Sequence, residues 1–111
     1  MKRYLPFVPV IVMALASWLL VHAADEKKTA PLKALLVLGG CCHDYETQQQ
    51  LLKAGIESRI EAVVDIEYNP SKGTDATFPI YEKDDWAKGY DVVIHDECSA
   101  SVTDAAYVNR I

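Results

Sequence analysis

The chain has 111 residues, half of them hydrophobic, with sixteen acidic side chains against eleven basic ones and a formal charge of −5. An acidic chain without a Lys/Arg cluster is a poor match for nucleic acid or an anionic membrane surface, and a better one for small neutral or cationic ligands. Three cysteines, at positions 41, 42 and 98, leave disulfide bonding open.

Residues 1–23 read as a secretory signal. Lys2 and Arg3 form a positive start, Val10 to Val21 carries no charge, and Val21-His22-Ala23 resembles a small-residue cleavage site. A spanning helix needs about 20 apolar residues, and Pro6 and Pro9 interrupt the stretch that would extend this one. A cleaved signal is therefore expected, with a secreted or periplasmic product and no stable membrane insertion afterwards. Loss of Lys2 and Arg3 removes two basic residues and no acidic ones, moving the formal charge from −5 to −7. Residues 24–32 are polar and aperiodic and read as a linker, so the folded domain is expected over 33–111.

Lys33 to Leu38 is a short, nearly continuous apolar run, the signature of a strand covered on both faces. Gly39 and Gly40 follow, with Cys41, Cys42, His43 and Asp44, and a helix is expected from Gln48 to Glu61. There Thr47 and Gln50 have capping-box spacing and Leu52, Ile56 and Ile60 form one stripe, with Leu51 beside it. Val63 to Tyr68, β-branched and partly alternating with acidic residues, predicts an outer strand. Asn69-Pro70 opens a loop whose packing residues are Phe78 and Ile80. Glu82 to Lys88, acidic early, basic late and followed by Gly89, predicts a short helix anchored by Trp86. Tyr90 to His95 predicts a third strand and Asp96 to Ser99 its exit loop. A final helix is expected over Thr103 to Ile111, capped by Ser101 or Thr103 and stopping without a terminal signal, so the sequence reads as truncated.

Alternating strands and helices predict an α/β fold with a parallel sheet. Right-handed crossovers wound first outward and then back give the strand order 2-1-3, a flavodoxin-like three-layer sandwich. Strands one and three then lie side by side. Their C-terminal ends bring Gly39, Gly40, Cys41, Cys42, His43 and Asp44 together with His95, Asp96, Glu97 and Cys98, where open α/β sheets bind ligands.

Several chemistries compete for those residues. His43 and His95 are candidate catalytic groups, acting as bases or as donors to sugar hydroxyls, with Asp44, Asp96 or Glu97 orienting them. Asp44 equally fits a helix cap. The set holds every common zinc-ligand type, and His43, His95 and Cys98 are candidate ligands for a divalent metal such as zinc. Against this, no Cys-x-x-Cys or His-Glu-x-x-His spacing is present. Cys98 is positioned to bridge to Cys41 or Cys42, leaving one thiol over, and the alternative is three small, partly buried residues. No Gly-x-Ser/Cys-x-Gly elbow is present, which argues against a nucleophilic cysteine. Asp44 and Glu46 stand where a phosphate would sit and Gly-x-Gly-x-x-Gly is absent, which argues against a nucleotide. Tyr45, Tyr81 and Trp86 are candidates either for stacking on a sugar or for closing the core.

Taken together, Ala34 to Tyr45 (ALLVLGGCCHDY), the Leu51-Leu52 helix, Tyr81-Glu82-Lys83, Asp85 to Ile94 and His95-Asp96-Glu97-Cys98 resemble the N-terminal part of ThuA-like proteins. These are trehalose-utilisation proteins of the class I glutamine amidotransferase-like superfamily. The resemblance implies a flavodoxin-like sheet, a small carbohydrate ligand and a link to disaccharide or modified-sugar utilisation. Family members are longer, and their later half adds strands and a histidine-containing region to the same crevice. The open edge of the third strand is thus expected to be covered by a partner chain or a second copy. The alternative is a non-catalytic binding module or an inactive, truncated product.

Overall fold

The computed structural model describes residues 30–111, so the signal segment and residues 24–29 of the linker lie outside the described residues. Three strands, β1 (Leu32–Gly40), β2 (Ala62–Asn69) and β3 (Val92–Cys98), form one parallel sheet in the order β2-β1-β3. This is the small flavodoxin-like α/β sheet that the alternating elements imply. Leu32 to Gly39 pair with Ala62 to Asn69 on one side, and Ala34 to Gly40 with Val92 to Cys98 on the other. Among the described residues no helix is long and apolar enough to cross a membrane.

Because β1 is central, both of its faces are covered, and the period-two alternation of a strand divides the core into two halves. Ala34, Leu36 and Leu38 pack with Tyr45 and Val64 beneath the first helix, α1 (Tyr45–Glu57). Leu35 and Val37 pack with Phe78 and Tyr81 on the opposite side, flanked by Trp86, Tyr90 and Tyr107. Full burial of Leu35, Leu36, Val37, Leu38, Val64 and Phe78 contributes about 1.5–3 kcal/mol each.

The helical segments differ most from their expected bounds, and the strands run past theirs at one or both ends. α1 begins at Tyr45, because the Asp44 carboxylate accepts from the Thr47 N–H at 3.2 Å and acts as the N-cap. Thr47 is therefore inside the helix and no Thr47–Gln50 box forms. At the other end Ser58 closes the helix through Ala54 and Ile56, because the chain must turn to enter β2 at Ala62. Ile60 consequently falls outside the helical stripe and is half exposed, and Leu51 faces solvent.

The expected Glu82–Lys88 helix is absent. A 3-10 turn occupies Pro79–Glu82, Lys83 is extended, and tight turns lead to Gly89. Trp86 accounts for this, since its indole N–H donates to the Arg110 carbonyl at 2.7 Å while its ring meets Tyr81 edge-on. That tertiary anchor outweighs the dipole pattern. The last helix, α2, is one turn at Ala105–Val108, capped by Asp104 through the Tyr107 N–H.

The outer edge of β2 is partly closed by side chains. The Val64 N–H donates to Glu57 Oε1 at 2.9 Å and the Val64 carbonyl accepts from Lys53, while Lys53 and Glu57 pair with each other at 2.8 Å. One ion pair on α1 thus satisfies both free backbone groups of an edge residue, a common way of blunting a sheet edge.

Candidate functional site

β1 and β3 run farther than their apolar residues imply. Gly39 lies opposite Glu97 and Gly40 opposite Cys98, so residues expected in an exit loop belong to the ladder. Both glycines adopt positive φ, +138° and +93°. A Cβ on Gly39 would collide with the Asn69 carbonyl and one on Gly40 with the Cys98 carbonyl. Their bare backbones therefore serve the close approach of the two neighbouring strands, and the chain turns at Cys41 and Cys42 immediately above them.

Extending β3 has a direct consequence for the polar residues, because successive side chains point to opposite faces. His95 and Glu97 lie on the Tyr81 face, and Asp96 and Cys98 on the α1 face. The five residues His43, Asp44, His95, Asp96 and Glu97 accordingly form two groups rather than one crevice lining.

On the Tyr81 face, the Tyr81 hydroxyl donates to Glu97 Oε1 at 2.6 Å, and His95 Nδ1 lies 2.9 Å from the same oxygen and 3.1 Å from the hydroxyl. With the phenol proton committed to the carboxylate, Nδ1 takes the N–H role toward Glu97. That tautomer leaves Nε2 as an acceptor or base on a side chain 40% exposed, whereas Glu97 is only 11% exposed. Burial, and then the bond to Glu97, hold the Tyr81 hydroxyl far above the ordinary phenol range, so it remains a donor throughout normal pH. Trp86 stands edge-on to His95 at 6.0 Å and the Tyr81 ring stacks near it at 6.2 Å. Glu97 Oε2 is buried without a hydrogen-bond partner among the described residues.

On the α1 face, the amide of Gln48 donates to Asp96 Oδ2 at 2.8 Å. Burial raises the Asp96 carboxyl above its ordinary range, partly opposed by the charge of His43. His43 itself is exposed and meets the Tyr45 ring edge-on at 5.5 Å. Asp44 is spent on its cap, with its carboxyl held low by the Thr47 hydrogen bond.

Cys41 and Cys42 form a disulfide with each other, and Cys98 keeps a free thiol 3.0 Å from Cys41 Sγ. The pairing therefore falls between neighbours in sequence rather than across the strands. Cys41, Cys42 and Cys98 place their sulfurs within 4.8 Å of one another, a grouping that could hold a metal ion. His95 points to the other face of the sheet and does not join Cys98 in it.

Two partners escaped the sequence reading. Gln48 carried no signal beyond its place in the first turn of a helix. Tyr81 stood out only as an aromatic, although its hydroxyl joins His95 to Glu97; the i, i+2 spacing of those two residues on an extended strand was the usable clue.

Comparison with protein-family models, curated proteins and solved structures finds no match for this chain. Fold and site together define a small flavodoxin-like α/β domain with a Tyr-His-Glu cluster on one face of its strand ends and a three-sulfur cluster on the other.

Proposed function

We propose that the protein is an exported ThuA-like domain that binds a small carbohydrate at the C-terminal ends of β1 and β3, in the service of disaccharide or modified-sugar utilisation. The observation that carries this reading is the His95 imidazole, fixed through Nδ1 by Glu97 and Tyr81 and free at Nε2. A sugar hydroxyl can donate to Nε2, and the partly exposed Trp86 edge-on to His95 suits the apolar face of a pyranose, while the buried Tyr81 holds the imidazole from the core side. An imidazole oriented by a carboxylate also has the form of a general base, so proton removal from a bound hydroxyl is the chemistry this group supports. The negative charge of the chain and the strand-end motifs of the ThuA resemblance support the same ligand class.

Zinc enters this reading only as a competitor for reduced thiols. Three thiolates suit zinc, but the Cys41–Cys42 bond leaves one thiol in the cluster. A partner chain or second copy along the β3 edge is part of the proposal in so far as that edge has no strand beyond it among the described residues.

The test is a thermal-shift screen of the full chain with trehalose, other disaccharides and their oxidised derivatives. A saturable rise in melting temperature that vanishes in His95→Ala supports the reading. No shift with any sugar at saturating concentration, from a chain that melts cooperatively, removes it.

A further inference from the structure

The sulfur cluster has no part in the carbohydrate reading, and its three members differ in access. Cys41 is 7% exposed, Cys98 is intermediate and Cys42 is exposed. The Cys98 thiol donates to Cys41 Sγ across 3.0 Å, because Gly40 and Cys98 are paired in the ladder and the glycine lets the two backbones touch. Cys41 is thus the one sulfur within exchange reach of either neighbour. Cys42, at φ +84°, turns outward from the chain end of β1.

We propose that Cys41, Cys42 and Cys98 form a thiol–disulfide exchange site that transfers the thiol of Cys98 to the surface at Cys42, where it reacts with low-molecular-weight disulfides. In the first step the Cys98 thiolate attacks Cys41 Sγ. The Cys41–Cys98 bond forms, the Cys41–Cys42 bond breaks, and the electron pair leaves on Cys42 Sγ, which takes up the proton that Cys98 gave up. Nothing is oxidised or reduced overall, since one disulfide and one thiol are exchanged for another pair. In the second step the Cys42 thiolate attacks an external disulfide, a mixed disulfide forms at Cys42, and one external thiol departs with the bond pair and a proton. Exchange of this kind depends on access to the attacked sulfur and on which thiolate leaves. Burial protects Cys41 from external reagents while leaving it open to Cys98.

The experiment uses the full 111-residue chain purified without reductant, incubated with oxidised glutathione, quenched in acid and mapped by tandem mass spectrometry. The expected product carries glutathione on Cys42 together with a Cys41–Cys98 link, and Cys98→Ser lowers the Cys42 adduct by at least about tenfold. Cys42→Ser, a change at an exposed position, should take up no glutathione and hold a Cys41–Cys98 bond. Glutathione on Cys98 beside an intact Cys41–Cys42 bond would overturn the proposal. So would three free thiols in the starting protein, or the absence of any adduct from the wild-type chain.

Discussion

The two faces of the sheet show how one strand end can be divided between two chemistries. On the Tyr81 face, β3 offers His95 and Glu97, and the covering layer answers with a hydroxyl held permanently protonated. On the α1 face, one residue out of step, β3 offers Asp96 and Cys98, and the answering groups are an amide and the Cys41 sulfur. A backbone that simply continues its pairing by a few residues thereby separates groups adjacent in sequence to opposite sides of the sheet. Under the proposed roles the first face takes a hydroxylated ligand and the second sulfur exchange, and substitutions among these strand-end side chains on one side should leave the other largely intact.

The largest expected effect is loss of the common foundation. Leu36 is fully buried under α1, and Leu36→Ala should cost about 2–5 kcal/mol in a denaturant titration, weakening both faces together. A loss confined to one face would show that the two halves of the core are not coupled through β1.

Gly40→Ala should come next. The new methyl meets the Cys98 carbonyl at a φ that favours glycine, so a loss of about 1–3 kcal/mol is expected. Slower transfer of glutathione to Cys42 should accompany it, because Cys41 and Cys98 are pushed apart. Unchanged stability and exchange would mean that the close approach of the two strands is dispensable.

Tyr81→Phe isolates the other face. It removes the hydroxyl from both Glu97 and His95 while keeping the ring, at an expected cost of about 1–3 kcal/mol. Sugar-induced stabilisation should fall and the Cys42 adduct should form as before; the reverse pattern would exchange the roles assigned to the faces.

The smallest effect is in the acid limb of stability. The Thr47 hydrogen bonds depress the Asp44 carboxyl and the Lys53 and Val64 bonds depress that of Glu57. Depressed carboxyls contribute stability that is complete above their ordinary values of 3.8 and 4.5 and is lost as pH falls through the lower folded-state values. Asp96 runs the other way. Burial raises its carboxyl, so the folded state favours its protonated form and that contribution fades as pH rises through the raised value. Melting temperatures followed downward from neutral pH should therefore drop less steeply in Asp44→Asn than in the wild type, and Asp96→Asn should drop more steeply.

The legible and illegible parts of this fold have physical causes. The central position of β1 was readable because only a strand covered on both faces tolerates Ala34 to Leu38 without a polar break, and the 2-1-3 order follows from the handedness of its crossovers. The last residues of β3 were not readable as strand, since Asp96 and Glu97 are ordinary loop residues and parallel pairing there is supplied by the backbones of Gly39 and Gly40. That single extension carried the error through to the site and replaced one crevice lining by two faces. The Glu82–Lys88 helix was a plausible local pattern overruled by the bond from Trp86 to Arg110, a partner distant in sequence. Sulfur pairing was beyond reach of spacing alone, because three cysteines at a switch point admit every pairing.

An NMR titration of the full, isotopically labelled chain with a disaccharide, trehalose first, tests the division of labour most directly. Saturable shifts gathered on Tyr81, Trp86, His95 and Glu97, with Cys41, Asp96 and Cys98 undisturbed, are the expected result. Shifts centred on His43, Asp96 and Cys98, or none at saturating sugar, would contradict it.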